Sequence, residues 1–510
     1  MTGQSSEPAT YEGWRRERLG AFAGLTGGQA ALVAALGLPP LLAMGRSDWG
    51  QVLQLLPLSV IGAALVVVPV RGRPAFRWLF DLTLFHLGAA LGWSRWRSQA
   101  STGAASAEEL EHADLPGVIA GLRTHVGPPF GPSQTPVCLV QDPTGGRWAV
   151  TARIVHPGVA GADSSTREGF ASALGDLLAS AAESGVIDGL SLMIRTIPDD
   201  GAERAAWVAD HEVAHVAEVV AAAGRDLEAT VVAASVRHEM FLTIRMAEGR
   251  IRRPARDCGG GAAGRATVIY RYLAEFEHAF RSIGATDVQW LDSADLATAI
   301  RTGYNLSEGA SVARAAHARR RSSKVSTGTQ MGAAGPSVTP APGTRAYVHD
   351  AYTTVSYALL LPKRPTTVGS LSRLLAPAVA GERRCLAMHY EPLPASRADR
   401  QIDRDTWSAE MAVDIKAKRG FRVPRRDRKR LAEVAEQEKH LARGHTLVRV
   451  AGAVAVTVPS GSAVDDAAAS FEGSARASGY QLLRLDLAQD AGFVAAVLPL
   501  GVGLPRRGDR

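Results

Sequence analysis

His211-Glu212-Val213-Ala214-His215 has the H-E-x-x-H spacing. On a helix, histidines four apart share one face and can ligate zinc, with the glutamate as base for a metal-bound water. Such a site needs a third protein ligand. Glu228, His238 and Glu239 are the nearby candidates, although no spacing singles one out, and Glu218 stands where the metzincin continuation requires glycine. The same window carries Trp207, Val208, Val216 and Val219 at the spacing of an ordinary amphipathic face. We take the motif as a solvated polar stripe. A membrane-anchored zinc metallopeptidase built on His211, Glu212 and His215 is the alternative.

Two other clusters invite chemistry. Gly259-Gly-Gly-Ala-Ala-Gly-Arg-Ala-Thr loosely resembles a phosphate-binding loop, but Arg265 replaces the lysine and Ala266 the magnesium-binding hydroxyl. No G-x-x-x-x-G-K-[ST] occurs anywhere in the sequence, which excludes an ATPase of that class. Arg422, Arg425, Arg426, Arg428, Lys429 and Arg430 form the densest basic run. Asp427, Glu433, Glu436 and Glu438 follow closely and no aromatic residue interleaves it, so a helix face laced with i,i+4 pairs is the reading taken. Contact with nucleic acid or anionic lipid is the alternative. No catalytic residue, metal or cofactor is expected.

The elements that must carry these residues are of two kinds. In 510 residues, 46% are hydrophobic and 21% charged, which excludes both a wholly disordered chain and a mostly lipid-embedded transporter. Cys138, Cys258 and Cys385 are too dispersed for a disulfide framework, so the bulk reads as reduced and intracellular. The segments Leu19–Gly45 and Gly50–Val70 lack any charge. Each exceeds or matches the ~20 residues of one bilayer crossing. They predict a transmembrane hairpin around Arg46-Ser47-Asp48-Trp49, kinked near Pro39-Pro40. Arg15, Arg16 and Arg18 before it and Arg71, Arg73 and Arg77 after it place both termini in the cytoplasm. Ala75–Trp93, interrupted by Arg77, Asp81 and His86, predicts an amphipathic helix on the membrane surface.

Beyond residue 100 strands and helices alternate, predicting an α/β or α+β body. Strands are expected over Val137–Val140, Trp148–Val155, Val186–Ile197, Tyr352–Leu361, Arg384–Tyr390, Thr446–Val458, Tyr480–Leu485 and Phe493–Leu498, with a further β-rich stretch at Leu227–Met246. Helices are expected over Thr166–Ser184, Gly201–Ala223, Ala262–Ile283, Val368–Ala380, Arg397–Arg419, Pro424–Arg443 and Ala463–Ser478. The expected division is 1–100 hairpin plus interfacial helix, 101–313 first cytoplasmic domain, 314–345 flexible linker or loop, and 346–510 second cytoplasmic domain. The C-terminal part reads as a split βαβ, or ferredoxin-like, sandwich. No repeat of fixed short period is visible.

Tyr11-Glu-Gly-Trp-Arg-Arg-Glu-Arg, Gly24-Leu-Thr-Gly-Gly-Gln-Ala, the two-span hairpin and Arg71-Gly-Arg-Pro resemble actinobacterial membrane proteins associated with conjugation and type IV secretion. The hairpin is similar to the PrgI-like inner-membrane subunit. The body resembles the non-motor N-terminal region of the conjugative ATPase, most of all in Glu433-Val-Ala-Glu-Gln-Glu-Lys-His-Leu-Ala-Arg-Gly-His, Leu482-Leu-Arg-Leu-Asp and Ala491-Gly-Phe-Val-Ala-Ala-Val-Leu-Pro-Leu-Gly. The two-span core component of type VII secretion shares the layout. The resemblance implies a non-enzymatic scaffold in the inner membrane, homo- or hetero-oligomeric. Its implied partners are a separately encoded ATPase and other apparatus subunits, with no small-molecule substrate. It transfers no catalytic residue, because the motor's Walker motifs do not occur in this sequence.

Overall fold

The computed structural model describes residues 27–70, 73–103, 105–132, 134–159, 161–198, 201, 207–208, 210–211, 216–234, 236–309, 311–312, 314–315, 318, 328–341, 343–362, 365–379, 381–418 and 425–503. The chain forms two compact units, one of Met1–Gly13, Arg95–Ile402 and Glu436–Arg510, the other of Trp14–Ser94 and Asp403–Ala435.

In the second unit, α1 (Gly27–Gly45) and α2 (Trp49–Val67) are both long and apolar enough to cross a membrane. They run antiparallel: Gln29 Nε2 donates to the Val66 carbonyl at 3.1 Å, and Leu36 packs on Gly62. Asp48 caps α2 by accepting from the Gln51 amide, which ends the short turn. Helix α1 continues through Pro39 and Pro40. Leu53, Leu58, Leu41 and Ile61 point outward, the reverse of a soluble helix pair. Helix α3 (Ala75–Leu91) also exposes Phe76, Phe80, Leu84 and Leu87, in line with the amphipathic segment expected there.

The first unit is mixed α/β around one antiparallel sheet of eleven strands. In chain order these are β1 (Arg123–Phe130), β2 (Thr135–Asp142), β3 (Arg147–Val155), β4 (Ile187–Pro198), β5 (Val236–Ala247), β6 (Asp287–Trp290), β7 (Tyr347–His349), β8 (Tyr352–Leu360), β9 (Arg383–Pro392), β10 (Val448–Pro459) and β11 (Gln481–Arg484). Their order is β7-β8-β10-β9-β4-β5-β3-β2-β1, with β11 on β8 and β6 on β3.

Two halves repeat one plan. The first is β3, α4 (Ser164–Ser184), β4, β5, α6 (Glu248–Asp257) with α7 (Gly261–Ser282), then β6, and it follows α5 (Glu218–Ala234) into β5. The second is β8, the one-turn α9 (Ser372–Leu375), β9, β10, α12 (Val464–Ala477) and β11, with α10 (Ala395–Lys418) and α11 (Arg425–Ala442) between β9 and β10. In each half the strands lie fourth-first-third-second. A further helix follows each fourth strand, α8 (Ser293–Tyr304) and α13 (Gln489–Val497). The halves join through antiparallel β4 and β9, from Leu190↔Tyr390 to Arg384↔Thr196.

Both sheet faces are covered. On one, α4 and α7 bury Leu177, Leu273 and Phe276 against β2, β3 and β5, while α12 buries Phe471 against β8 and β10. On the other, α8 and α13 lay Ile300, Tyr304, Phe493 and Val497 across Met193, Phe241, Cys385 and Ala455 from both halves. Gly492 permits the approach of α13: a Cβ there would lie 2.7 Å from Ser356 Cβ and 2.6 Å from Leu485 Cδ1.

Several expectations are corrected. Phe493–Leu498, expected as a strand, is the end of α13 and the turn after it; a short run buried on every side reads the same in either state. The C-terminal half therefore ends β-α-β-α, and its first strand is Tyr352–Leu360. Leu227–Ala234 is helical, and β5 starts only at Val236. Of the expected helix Gly201–Ala223, residues 202–206, 209 and 212–215 lie outside the described residues; Trp207, Val208, Asp210 and His211 are helical, and α5 begins at Glu218. Val368–Ala380 holds only the turn Ser372–Leu375. Part of the expected linker is packed. Met331 and Ala334 are buried, and Val338–Thr339 pairs with Trp96–Arg97. Arg301 binds both oxygens of Glu308 and donates to the Gly335 carbonyl, while Asp350 accepts from the Ser337 and Val338 amides. Polar anchors at these few points replace the apolar content the segment lacks.

Two glycine substitutions separate tight from open packing. Gly492→Ala should destabilise the protein by roughly 1–3 kcal/mol through overpacking. Gly473→Ala, on α12 with only Arg476 Nη2 within 4.0 Å, should stabilise it by about 0.4–1 kcal/mol. Urea-unfolding midpoints of both variants check the pair, and equal effects would contradict this account of α13.

Candidate functional site

Of the H-E-x-x-H motif, His211 is described, while Glu212 and His215 lie outside the described residues. His211 stacks on Trp207 with ring centroids 4.1 Å apart, and its Nδ1 lies 2.8 Å from the Trp207 carbonyl oxygen. Two of the proposed third ligands are engaged elsewhere, and the side chain of Glu228 lies outside the described residues. His238 Nδ1 meets Thr196 Oγ1 at 2.9 Å, and Glu239 forms an ion pair with Arg195 at 2.8 Å. Burial pushes the Glu239 carboxyl up, but Arg195, Arg237 and Arg153 outweigh it and hold the group ionised below the ordinary range. Among the described residues no group of three His, Cys, Asp or Glu could hold a metal ion.

The glycine-rich loop serves the fold. Gly259, Gly260 and Gly261 all take positive φ and turn the chain from α6 into α7. Arg265 binds both carboxylate oxygens of Glu248, which also accepts from Trp148 Nε1 at 2.6 Å. Its remaining Nη1 donates to the Gly261 carbonyl at 2.7 Å, and its guanidinium lies over the Trp148 ring. The hydrogen bonds from Arg265 hold the Glu248 carboxyl below its usual range. A guanidinium so occupied is a brace between α6, α7 and β3. In the basic run, Arg425, Arg428 and Lys429 are exposed on α11, and Lys429 Nζ is 3.8 Å from Glu433 Oε1, the expected i,i+4 pairing. Arg422 lies outside the described residues.

The densest polar chemistry was not singled out in the sequence. It lies beneath α8 and α13, on residues from both halves. Arg195 on β4 donates to the Ala299 carbonyl at 2.8 Å and reaches that of Val497 at 3.4 Å. Arg383 on β9 donates to the carbonyls of Thr302 and Gly303 at the end of α8. A helix leaves its last four carbonyls without intrahelical donors and carries partial negative charge there, so Arg383 completes the end of α8 and Arg195, through Val497, that of α13, while Ala299 lies before the last turn of α8. Desolvation pushes the Arg383 guanidinium down to about 10; it remains charged at neutral pH.

The hydrogen-bond sense around Arg383 is fixed, because a guanidinium only donates. At the far end the Tyr304 carbonyl can only accept, so Nε2 of the neutral His349 ring accepts from Thr354 Oγ1, which accepts from Thr457 Oγ1, which accepts from Arg383. His349 Nδ1 then donates to the Tyr304 carbonyl at 2.7 Å. On the other side of the seam, His389 Nε2 donates to the Ala495 carbonyl, leaving Nδ1 to accept from Ser191 Oγ at 2.6 Å. Each network holds one histidine as a neutral tautomer. Burial, with Arg383 near one and Arg245 near the other, pushes His349 down to about 3 and His389 to about 4. The Ser191–His389 pair has the contact of a nucleophile and its base, but both residues are buried under α13. It can hold the seam together; it offers no approach to a substrate.

These histidines make stability pH-dependent in one direction. The folded state keeps them neutral down to about 3 and 4, whereas the unfolded chain protonates near 6.5. Below 6.5 the unfolded state binds more protons, so the stabilisation present above that pH declines as pH falls toward the folded values. Each histidine should account for about 2 kcal/mol lost between pH 7 and pH 5. His389→Gln should lower stability at pH 7 yet roughly halve the loss on going to pH 5, as read from urea unfolding. An unchanged slope would show that His389 does not carry this proton linkage.

In comparison with known proteins, no family model matches the chain and none of the curated proteins matches it.

Proposed function

We propose that this protein is a non-enzymatic inner-membrane scaffold of a conjugation or type IV secretion-like apparatus, which docks a separately encoded ATPase. One observation carries the reading: two apolar helices with outward-facing Leu and Ile side chains are joined to a sheet covered on both faces, whose seam residues Ser191, Arg195, His349, Arg383 and His389 bond within the body. A body of that kind offers neighbours a surface. The split βαβ reading of the C-terminal half is supported by its fourth-first-third-second strand order, and the first half has the same order. Both termini are assigned to the cytoplasm from the basic flanks.

Topology is tested by reporter fusions: one at Asp48 should respond as extracytoplasmic and one at Arg510 as cytoplasmic, and the reverse at either site overturns the assignment. Docking is tested with the full-length protein, because removing Tyr347–Arg510 would strip β4 of its partner β9. The detergent-solubilised protein should retain the ATPase encoded beside it. Trp407 and Met411, four apart and exposed on α10, have the character of interface anchors. Trp407→Ala should weaken retention about tenfold or more. A folded protein that retains no ATPase refutes the scaffold reading.

A further inference from the structure

Arginines gather at one end of the sheet, where β5 runs into α6 and β9 runs into α10. The start of β4 joins these two strand ends, through Ile187↔Met246 on one side and Leu190↔Tyr390 on the other. On α6 the apolar residues Ile251 and Ala255, four apart, are buried, which turns Arg250, Arg252, Arg253 and Arg256 to the outside. Arg250, Arg253 and Arg256 follow at intervals of three, a row about 9 Å long at the rise of a helix. The carboxylate at the head of α6, Glu248, is taken by Arg265 and Trp148. Among the described residues none of the four arginines forms an ion pair.

The start of α10 forms the opposite bank. Arg250 and Arg397 line one crevice, together with Pro392 and Pro394. Arg400, exposed like Arg397, is held by a bond from its Nε to the Ser396 carbonyl at 2.8 Å. Two carboxylates also line the crevice, and both are matched: Asp188 lies 2.6 Å from Arg147 and Glu391 3.9 Å from Arg449. Glu183, Asp257 and Asp399 are the exposed acids nearby, against six exposed arginines. The end is therefore net basic, with cations on both sides of a groove.

We propose that this end of the sheet binds the phosphate backbone of a nucleic-acid duplex without regard to sequence. Every cation in the patch is an arginine, whose planar fork matches a phosphate through two parallel bonds. The outward face of α6 holds Gly249, the four arginines and Asp257. It has no aromatic ring on which unpaired bases could stack and no apolar side chain to enter a bilayer. An acidic protein partner would require an apolar centre to the contact, which this face also lacks. One strand of a duplex is a ridge of closely spaced phosphates, and a ridge fits between arginines on two banks. The headgroups of a leaflet lie in one plane and reach only the rims. The inference rests on charge and surface shape, and it stands or falls apart from the scaffold reading.

The test uses the full-length protein in nanodiscs of zwitterionic lipid and a fluorescent DNA duplex of about 20 base pairs, two helical turns. Binding is read by fluorescence anisotropy. With roughly four to six phosphates contacted, affinity should fall about 10²–10³-fold between about 50 and about 200 mM NaCl. Two duplexes of unrelated sequence should bind equally. Arg252→Glu/Arg253→Glu on α6 and, separately, Arg397→Glu/Arg400→Glu on α10 should each weaken binding about tenfold or more and lower the salt slope by about two. Arg252→Lys/Arg253→Lys should retain most of it, and urea-unfolding midpoints like that of the wild type show that the variants are folded. Arg428→Glu/Lys429→Glu on α11 should leave binding unchanged. Polyglutamate and phosphatidylglycerol vesicles, added as competitors at equal charge, should displace the duplex poorly. Absent or salt-insensitive binding, binding that survives reversal on α6 or is lost with the α11 variant, or ready displacement by polyglutamate or by vesicles would each overturn the proposal.

Discussion

The pairing of β4 with β9 is the constraint from which the rest of the body follows. It turns two four-stranded arrangements into one sheet and brings four positions together on one face: Ser191 and Arg195 with His389 and Arg383. A sheet face that polar cannot be covered by an ordinary apolar helix packed through side chains alone. It is covered instead by α8 and α13, whose terminal carbonyls at Thr302, Gly303 and Val497, together with that of Ala299 within α8, accept from the two arginines. The helices supply acceptors that β-sheet side chains at this seam lack, and the arginines supply donors that helix ends lack.

Such an arrangement is costly to the extent that donors go unmet, as Arg383 Nε does. Placing a guanidinium in a low-dielectric interior carries a penalty of several kcal/mol, recovered only where its donors are met with good geometry. Arg195 meets a carboxylate and a carbonyl; Arg383 meets two carbonyls and a hydroxyl. The proton order running from Arg383 to His349 shows how little freedom remains, since reversing one hydroxyl would leave two donors or two acceptors facing each other. A network of this kind makes the register of β4 against β9 difficult to shift, because a one-residue slip moves every arginine to the opposite face. The buried histidines then follow as filler of fixed tautomer rather than as reactive groups.

Sequence legibility tracks how local each cause is. The apolar runs of α1 and α2, the strands on either side of Asp142 to Gly146, and the periodicity of α4 and α7 are local, and they read correctly, although the cap of α4 is Asp163. What failed was what depends on distant neighbours. Phe493-Val-Ala-Ala-Val is apolar on every side because sheet, α8 and Leu498 enclose it, so it carries neither helical nor strand periodicity. Arg195 and Arg383 look like solvent-facing strand residues until the opposing helix ends are known. The repeat of the halves did leave a trace, Leu291-Asp292 and Leu485-Asp486, each just past a fourth strand and before a helix. Separated by 194 residues and embedded in otherwise unlike sequence, that trace carries no short period. Conversely, Gly259 to Arg265 looked chemical because glycine turns and arginine braces use the same residues as phosphate cradles.

The insertions close the physical logic. In each half the loop from second to third strand is a position where chain can be added without breaking a ladder, since β4 with β5 and β9 with β10 are already paired along their length. The core fixes only where each insertion is rooted; it places no demand on its length, charge or apolar content. The first became acidic with exposed valines, the second a pair of long helices rich in arginine. Because the joint is antiparallel, equivalent positions necessarily face opposite ways, so the two insertions are rooted at opposite ends of the sheet. A parallel arrangement of the same halves would have put both insertions at one end, where opposite charges could satisfy each other within a single chain.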